Sequence, residues 1–328
     1  MLDSAVQNLT SVPVLAFALG LLATSLKSDL RLPEPIYQAI TIYLLLGIGI
    51  KGGVALSNTD LDQVLSPLIG TLLLSAMVPI LAFYLLPLFG KYSKDDRGAL
   101  AAHYGSTSLV TFTAALVFLE GQRIEFEGYL VSLLAVMEIP GILIGLWLAK
   151  RASSNGVSLG ESMREVLTGK SLLLLAGGLV IGFMTGETGY LRIEPFFGGL
   201  FTGVLALFLL ELGIVAGRRL SDLRVGGLGL ALFAVCFPLF AGSLGVITGQ
   251  LTGLSVGGAM VLGVLAASAS YIAAPAAVRL ALPEASPGRY LTASLGFTFP
   301  FNLVLFWPLS HCIGENSLTF LNSTFLSN

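Results

Sequence analysis

Ten apolar segments, each close to the length that crosses a bilayer, constrain this chain more than any other feature. They run near 12–26, 36–56, 64–89, 98–119, 128–149, 171–186, 196–217, 226–248, 255–281 and 290–312. A helix needs about 20 apolar residues to span the hydrocarbon core, and fewer where neighbours shield it. Of the 328 residues, 55% are apolar and 11% charged, against roughly 25% charged in a soluble domain. That excludes a cytosolic enzyme. The net charge of −2 offers no basic face to nucleic acid. Cys236 and Cys312 both sit in apolar runs, which suits neither a disulfide framework nor a metal cluster. The fold class is therefore all-α integral membrane, with ten transmembrane helices and membrane lipid as the surrounding partner.

The charges that remain set a direction. With the N-terminus outside, the inner loops hold 14 of the lysines and arginines and the outer side only three, Lys51, Arg123 and Arg192. That bias predicts both termini extracytoplasmic in a bacterial inner membrane. The first span opens at Val12 with no basic residue before it, which speaks against a cleaved signal peptide. The longest polar connection, 151–170, reads as a cytoplasmic linker between residues 1–150 and 171–328.

Those two halves resemble each other. Gly49–Ser57 recurs loosely as Gly213–Ser221, a shift of 164, and the same shift lays His103–Thr107 on Ala267–Tyr271. Pro140 and Trp147 match Pro300 and Trp307 at a shift of 160. Each half holds five spans, an odd number, so the second enters the membrane upside down. Inverted repeats of this kind give secondary transporters two related conformations of opposite access, with the substrate at the repeat interface.

Spans 4 and 9 differ from the others. Span 4 carries His103-Tyr104-Gly105-Ser106-Thr107-Ser108 and then Thr111 and Thr113, a hydroxyl-rich patch in mid-membrane. Span 9 carries Ser268-Ala269-Ser270-Tyr271 before Pro275. Proline lacks an amide hydrogen and clashes with the preceding turn, so this helix is predicted to break just before it. The N-terminus of a half-helix suits an anion. Neither span has a central arginine or lysine, so dipoles, hydroxyls and a co-bound cation must hold the charge. Small residues also serve helix packing, and for either span alone both readings stand.

Few ionisable groups lie within spans. Glu138, before Ile139-Pro140, is costly in mid-membrane unless paired, and a sodium ion or a proton would compensate it. Thr111 or Thr113 and carbonyls freed by Pro140 would complete a hard-cation site, and Asn302 stands at the matching place in span 10. A protonated glutamate bonded to a neighbouring helix is the alternative. Glu211 is expected to pair with Lys51, and His103 to pack rather than relay protons. No zinc-protease, nucleophile-elbow or nucleotide-loop motif occurs, so no enzyme is expected.

At these residues the sequence resembles the sodium-dependent bicarbonate transporter family of cyanobacteria and other bacteria. The likeness is carried by Leu15-Ala16-Phe17, Leu32-Pro33-Glu34, Gly52-Gly53, Asn58, Ala114-Ala115-Leu116, Met137-Glu138-Ile139-Pro140, Ala266–Ser270, Pro275, Arg279 and Pro283. It implies sodium-coupled uptake of bicarbonate by a homotrimer. In each subunit a core of spans 3–5 and 8–10 moves against a scaffold of spans 1–2 and 6–7. It carries over Gly105, Ser108, Thr111, Ser268 and Ser270 as anion-binding candidates and Glu138 as the sodium candidate. Ser106, Thr107, Ala269 and Tyr271 join the anion site from the residue reading, and Thr111 and Asn302 join Glu138 at the cation. Where cyanobacterial members carry an aspartate after three serines, this chain has Tyr271. The central loop is shorter than in those members, where a longer loop accompanies control by a small trimeric PII-like protein, the one regulatory partner the resemblance brings. Two other readings stand: a sodium- or proton-coupled transporter of another small carboxylate, and a membrane sensor or scaffold that transports nothing.

Overall fold

A computed structural model describes residues 9–151, 159–220 and 223–306. Trp307, Cys312, the end of span 10 and linker residues 152–158 lie outside the described residues. Those described form helices and turns, with no strand among them. In chain order the helices are α1 (Val12–Ser25), α2 (Glu34–Ser57), α3 (Leu61–Leu85), α4 (Lys94–Gly105), α5 (Leu109–Gln122), α6 (Leu130–Arg151), α7 (Leu159–Leu167), α8 (Lys170–Leu191), α9 (Phe201–Leu220), α10 (Leu223–Leu251), α11 (Val256–Ala267), α12 (Ala274–Ala281) and α13 (Pro287–Leu291). Wider π-type turns continue α13 as far as Phe306.

Among the described residues seven helices are long and apolar enough to cross a membrane, with α4 and α5 together counted as one. Two shorter apolar helices, α1 and α11, stand beside them. Burial sorts the long helices. The most apolar stretch of α4–α5 is 83% buried and that of α8 only 22%, so span 4 is central and span 6 peripheral. Exposed Leu15, Leu19 and Leu22 on α1, and Val180, Phe183 and Met184 on α8, form faces that only lipid or another protein chain would cover.

Glycines let certain helices touch backbone to backbone, a common device where lipid removes the hydrophobic drive for association. Gly49 of α2 meets Gly178 of α8, where an added Cβ would lie 2.6 Å from the Leu175 carbonyl oxygen. Gly20 of α1 meets Gly213 of α9 in the same way, and the Thr24 hydroxyl donates to the Ile214 carbonyl (3.1 Å). In both pairs the contacts advance together along the two helices, so each pair runs parallel. By contrast α4 and α6 run antiparallel, with Gly145 against Ala102 and Gly141 against the Gly105 carbonyl.

Polar groups fix the buried ends. Ser93 caps α4 by accepting the Asp96 amide (3.0 Å). Asp96 is buried, accepts the Ser286 amide (2.9 Å) and pairs with Arg289, tying α4 to the start of α13. Thr298 donates to the Ala234 carbonyl (2.8 Å), so Tyr104 must be the donor in its 2.7 Å bond to Thr298. Glu211 departs from the sequence expectation. Its carboxylate accepts the Leu32 amide (2.7 Å), while the Lys51 ammonium lies over the Phe201 ring, 5.7 Å from its centre. Leu32 precedes α2 and Lys51 lies near its far end, so one carboxylate does not serve both.

Candidate functional site

Both unusual spans are interrupted. Ser106–Ser108 separate α4 from α5, and residues 268–273 separate α11 from α12. The first four amides of any helix lack intrahelical acceptors, so each break exposes a set of donors at the start of its second half. Ser108 caps α5, its hydroxyl accepting the Thr111 amide (3.3 Å) and the Thr111 hydroxyl (2.9 Å). Ser270, three residues ahead of the Ala273 N-cap of α12, accepts the Ala274 amide (3.3 Å).

The breaks are bonded to each other. The Ser108 amide donates to the Ser268 hydroxyl (2.9 Å), and the Ser270 amide donates to the His103 carbonyl (2.7 Å). Each break therefore has a backbone amide satisfied by the other span, which an isolated broken helix would leave buried and unpaired.

This network sorts the expected anion residues. Ser268 is spent: it accepts from Ser108 and donates to the Leu265 carbonyl (2.8 Å). Thr111 is spent on Ser108. Ser108 and Ser270 act only as acceptors in these bonds, so each keeps a hydroxyl proton to donate. Both line a small cavity with Thr107, Tyr271 and Glu138. The buried Tyr271 hydroxyl lies beside Ser108 without a bond of good geometry. Gly105, Ser106 and Ala269 are buried but do not line the cavity. Gly105 serves the contact with α6 instead, and the Ser106 hydroxyl has no partner among the described residues.

The cavity lies between these spans and the α2–α8 pair, which contributes Leu45, Leu175 and Ser171. Ser171 was not legible in the sequence, because a lone serine at the start of an apolar span carries no pattern. Glu138 is 7% exposed and, among the described residues, has neither hydrogen bond nor ion pair. Pro140 withholds an amide from the Val136 carbonyl one turn back, which leaves an extra acceptor in that stretch of α6. Asn302 is not in the cavity. Its side-chain amide donates to the Ala267 carbonyl (2.9 Å), holding the end of α11, and its Oδ1 is buried without a partner. Of the three residues expected at the cation, Glu138 alone lines the cavity. No group of three or more His, Cys, Asp or Glu side chains occurs among the described residues. His103 packs as expected, its Nδ1 donating to the Ala99 carbonyl (2.7 Å) and its ring 4.4 Å from that of Tyr290.

Two half-helix N-termini and one unpaired carboxylate thus share one buried space. Against this geometry, the model of the Na+-dependent bicarbonate transporter superfamily matches residues 13–315, nearly the whole chain. The chain belongs to that superfamily. Comparison with curated proteins returns no match. Membership agrees with the apolar helices in making this a multi-pass membrane protein of a transporter family, and the superfamily's name ties it to sodium and bicarbonate.

The cavity also bears on how such an ion is held. Its volume is about 20 Å³, and one water needs about 10–15 Å³ measured this way. It accommodates a water or a bare cation, not the four heavy atoms of bicarbonate.

Proposed function

We propose that this protein is a sodium-coupled symporter that imports a small anion, bicarbonate, by alternating access. The carrying observation is the pair of half-helix N-termini that meet, with two free serine hydroxyls, at the cavity holding Glu138. An oxyanion there accepts from the Ser108 and Ser270 hydroxyls and from first-turn amides of α5 and α12. An unpaired carboxylate inside a membrane costs about 3 kcal/mol and would repel that anion. A sodium ion beside Glu138 removes both penalties, which couples the two ions physically.

Ten spans in a 5+5 inverted repeat account for the packing as well. The 164-residue shift that relates Gly49 to Gly213 also relates the contacts they make. Gly49 seats α2 on α8, and Gly213 seats α9 on α1. Exchanging the halves turns a span 2–span 6 pair into a span 7–span 1 pair, and parallel running of both agrees with that topology. These two pairs are the scaffold, and spans 3–5 and 8–10 are the core that moves against it.

Uptake of labelled bicarbonate into proteoliposomes, with and without an inward sodium gradient, tests this reading. Sodium-dependent accumulation is expected, and no uptake under either condition overturns it. One observation favours a second substrate class. The Tyr271 ring stacks edge-on with Phe299 (5.6 Å between centres) and presents apolar surface to the cavity, which suits an organic carboxylate. Sodium-independent uptake of a short carboxylate that follows a pH gradient would select it.

A further inference from the structure

A second, larger cavity of about 250 Å³ lies on the same seam between the α2–α9 side and the α5–α6 side. It sits one helical turn from the central one. Along α2 the two cavities are lined by Leu45 and Ile48, along α5 by Leu109 and Thr113, and along α6 by Leu134 and Val131. At 1.5 Å per residue these steps of three or four residues amount to about 5 Å of depth. The larger cavity takes in the end of α5 and the starts of α6 and α9, so it occupies one face of the membrane. In the orientation proposed above, that face is the outer one.

Its walls are apolar except for Thr113 and two charges, Lys51 on α2 and Glu120 on α5. Both are exposed to the space, and among the described residues they make no ion pair. The Lys51 ammonium instead rests over the Phe201 ring. Around the cavity the balance is otherwise negative. The carbonyl end of α5 carries a partial negative charge, Glu120 lies two residues from it, and Glu125 and Glu127 follow in the next loop. Arg123 caps that end of α5 in a left-handed conformation (φ 57°). Glu127 is engaged by the Ser255 amide (2.6 Å). An anion bound for Ser108 and Ser270 meets Glu120 before it meets any donor of the central site.

We propose that Lys51 makes this cavity an anion-admitting vestibule: a transient site for a small oxyanion, from which it passes one helical turn inward. Lys51 stands exposed in the last two turns of α2, and among the described residues it has no carboxylate partner. It faces a cavity that lies one helical turn from the central one on the same seam. This rests on the transport reading of the central site, but the electrostatics of the vestibule can be tested apart from it.

The first arm is kinetic. Wild type, Lys51→Gln, Lys51→Glu and Lys51→Arg are compared for sodium-driven bicarbonate uptake. Lys51→Gln raises KM about three- to tenfold with kcat held within about twofold, Lys51→Glu raises it further, and Lys51→Arg stays near wild type. An unchanged KM in Lys51→Gln, or a fall in kcat alone, overturns the proposal. The second arm needs no transport. Leu116→Cys, which lines the vestibule, is made with Cys236 and Cys312 replaced by serine, and is labelled in detergent with anionic and cationic thiol reagents. Lys51→Gln lowers the anionic-to-cationic rate ratio about threefold or more, and an unchanged ratio overturns the proposal. If wild type takes up no bicarbonate but the ratio still falls, the symport reading fails and the vestibule stands.

Discussion

In the first interrupted span three residues, Ser106–Ser108, part helices of 12 and 14 residues; in the second, six residues part helices of 12 and 8. The shorter break is braced from two sides. Gly105 at its edge lies against the backbone of α6, and the Ser108 hydroxyl accepts two bonds from α5. The longer break is held on its α11 side by Asn302 on the Ala267 carbonyl and Ser268 on the Leu265 carbonyl. On its α12 side it has one 3.3 Å bond from the Ala274 amide to Ser270, besides its bonds to the first. The two breaks offer the same kind of donor to one cavity, yet one is built as a fixed post and the other as its lighter counterpart. In the transport cycle proposed above, such asymmetry lets one wall keep its geometry while the other adjusts.

The largest effect expected from this comparison is at Gly141. A side chain there would overlap the Gly105 carbonyl and the Ser106 amide, backbone atoms with nowhere to go. Gly141→Ala should cost about 3 kcal/mol or more and leave little folded protein, whereas Gly121→Ala, with nothing within 4 Å, should be close to silent. On the second side, a Cβ added to Gly245 would lie 2.7 Å from the Leu262 carbonyl oxygen. Gly245→Ala should cost about 1–3 kcal/mol. Thermal unfolding in detergent measures all three, and equal losses at 141 and 245 would dissolve the proposed asymmetry.

Next in size is Glu138, which shares the cavity with both breaks. Glu138→Gln keeps the shape and removes the charge. We expect sodium-driven uptake to fall at least about 100-fold, the counterpart of roughly 3 kcal/mol of lost cation binding, with thermal stability unchanged or raised. Retained sodium dependence in this variant would separate Glu138 from the cation.

Smaller and more discriminating is the contrast between Ser108 and Ser270. Ser108→Ala removes the acceptor for two bonds and a free donor, so it should lose about 1–2 kcal/mol of stability and at least about tenfold in uptake. Ser270→Ala removes one bond, and should lose about 1 kcal/mol or less while uptake falls by a similar factor. Ser268→Ala sharpens the reading from the other side. It orphans the buried Ser108 amide and should lower stability by about 1–3 kcal/mol, with uptake per folded molecule less affected than in Ser108→Ala. If Ser268→Ala instead abolishes uptake with full stability, Ser268 is a ligand donor and not a strut.

What the sequence conveyed follows from how local each cause is. Span positions are written in runs of apolar residues, and the seven long apolar helices among the described residues begin and end within about five residues of such runs. The unusual character of spans 4 and 9 is written in composition, since hydroxyls and small residues cluster where leucine would otherwise stand. Which serine donates and which is spent is not written there: Ser268 and Ser270 are two residues apart and chemically identical, and only the crossing of the spans assigns their protons. Ser171 and the Gly105–Gly141 contact are likewise products of tertiary packing. The expected Glu211–Lys51 pair failed for the same reason, because opposite charges in a sequence carry no depth. Glu211 instead holds the Leu32 amide, before α2 begins.

Pro275 gives the smallest and most pointed test of the comparison. In the sequence it is the strongest sign of a break, because an interior proline deprives a helix of a bond and clashes with the preceding turn. In the fold it is the second residue of α12, where an amide has no intrahelical acceptor and the fixed φ suits the first turn. Replacing it therefore breaks no hydrogen bond. Pro275→Ala should cost less than about 1 kcal/mol, mostly through the freer unfolded chain, and should add one more amide to the donors at that helix end. The Ser108–Ser268 and Ser270–His103 bonds hold the break open without the proline, so uptake should stay within about threefold of wild type, a change under 1 kcal/mol. A loss as deep as that of Ser108→Ala would mean that the second break depends on its proline, and that its bonds to the first span follow from the break instead of maintaining it.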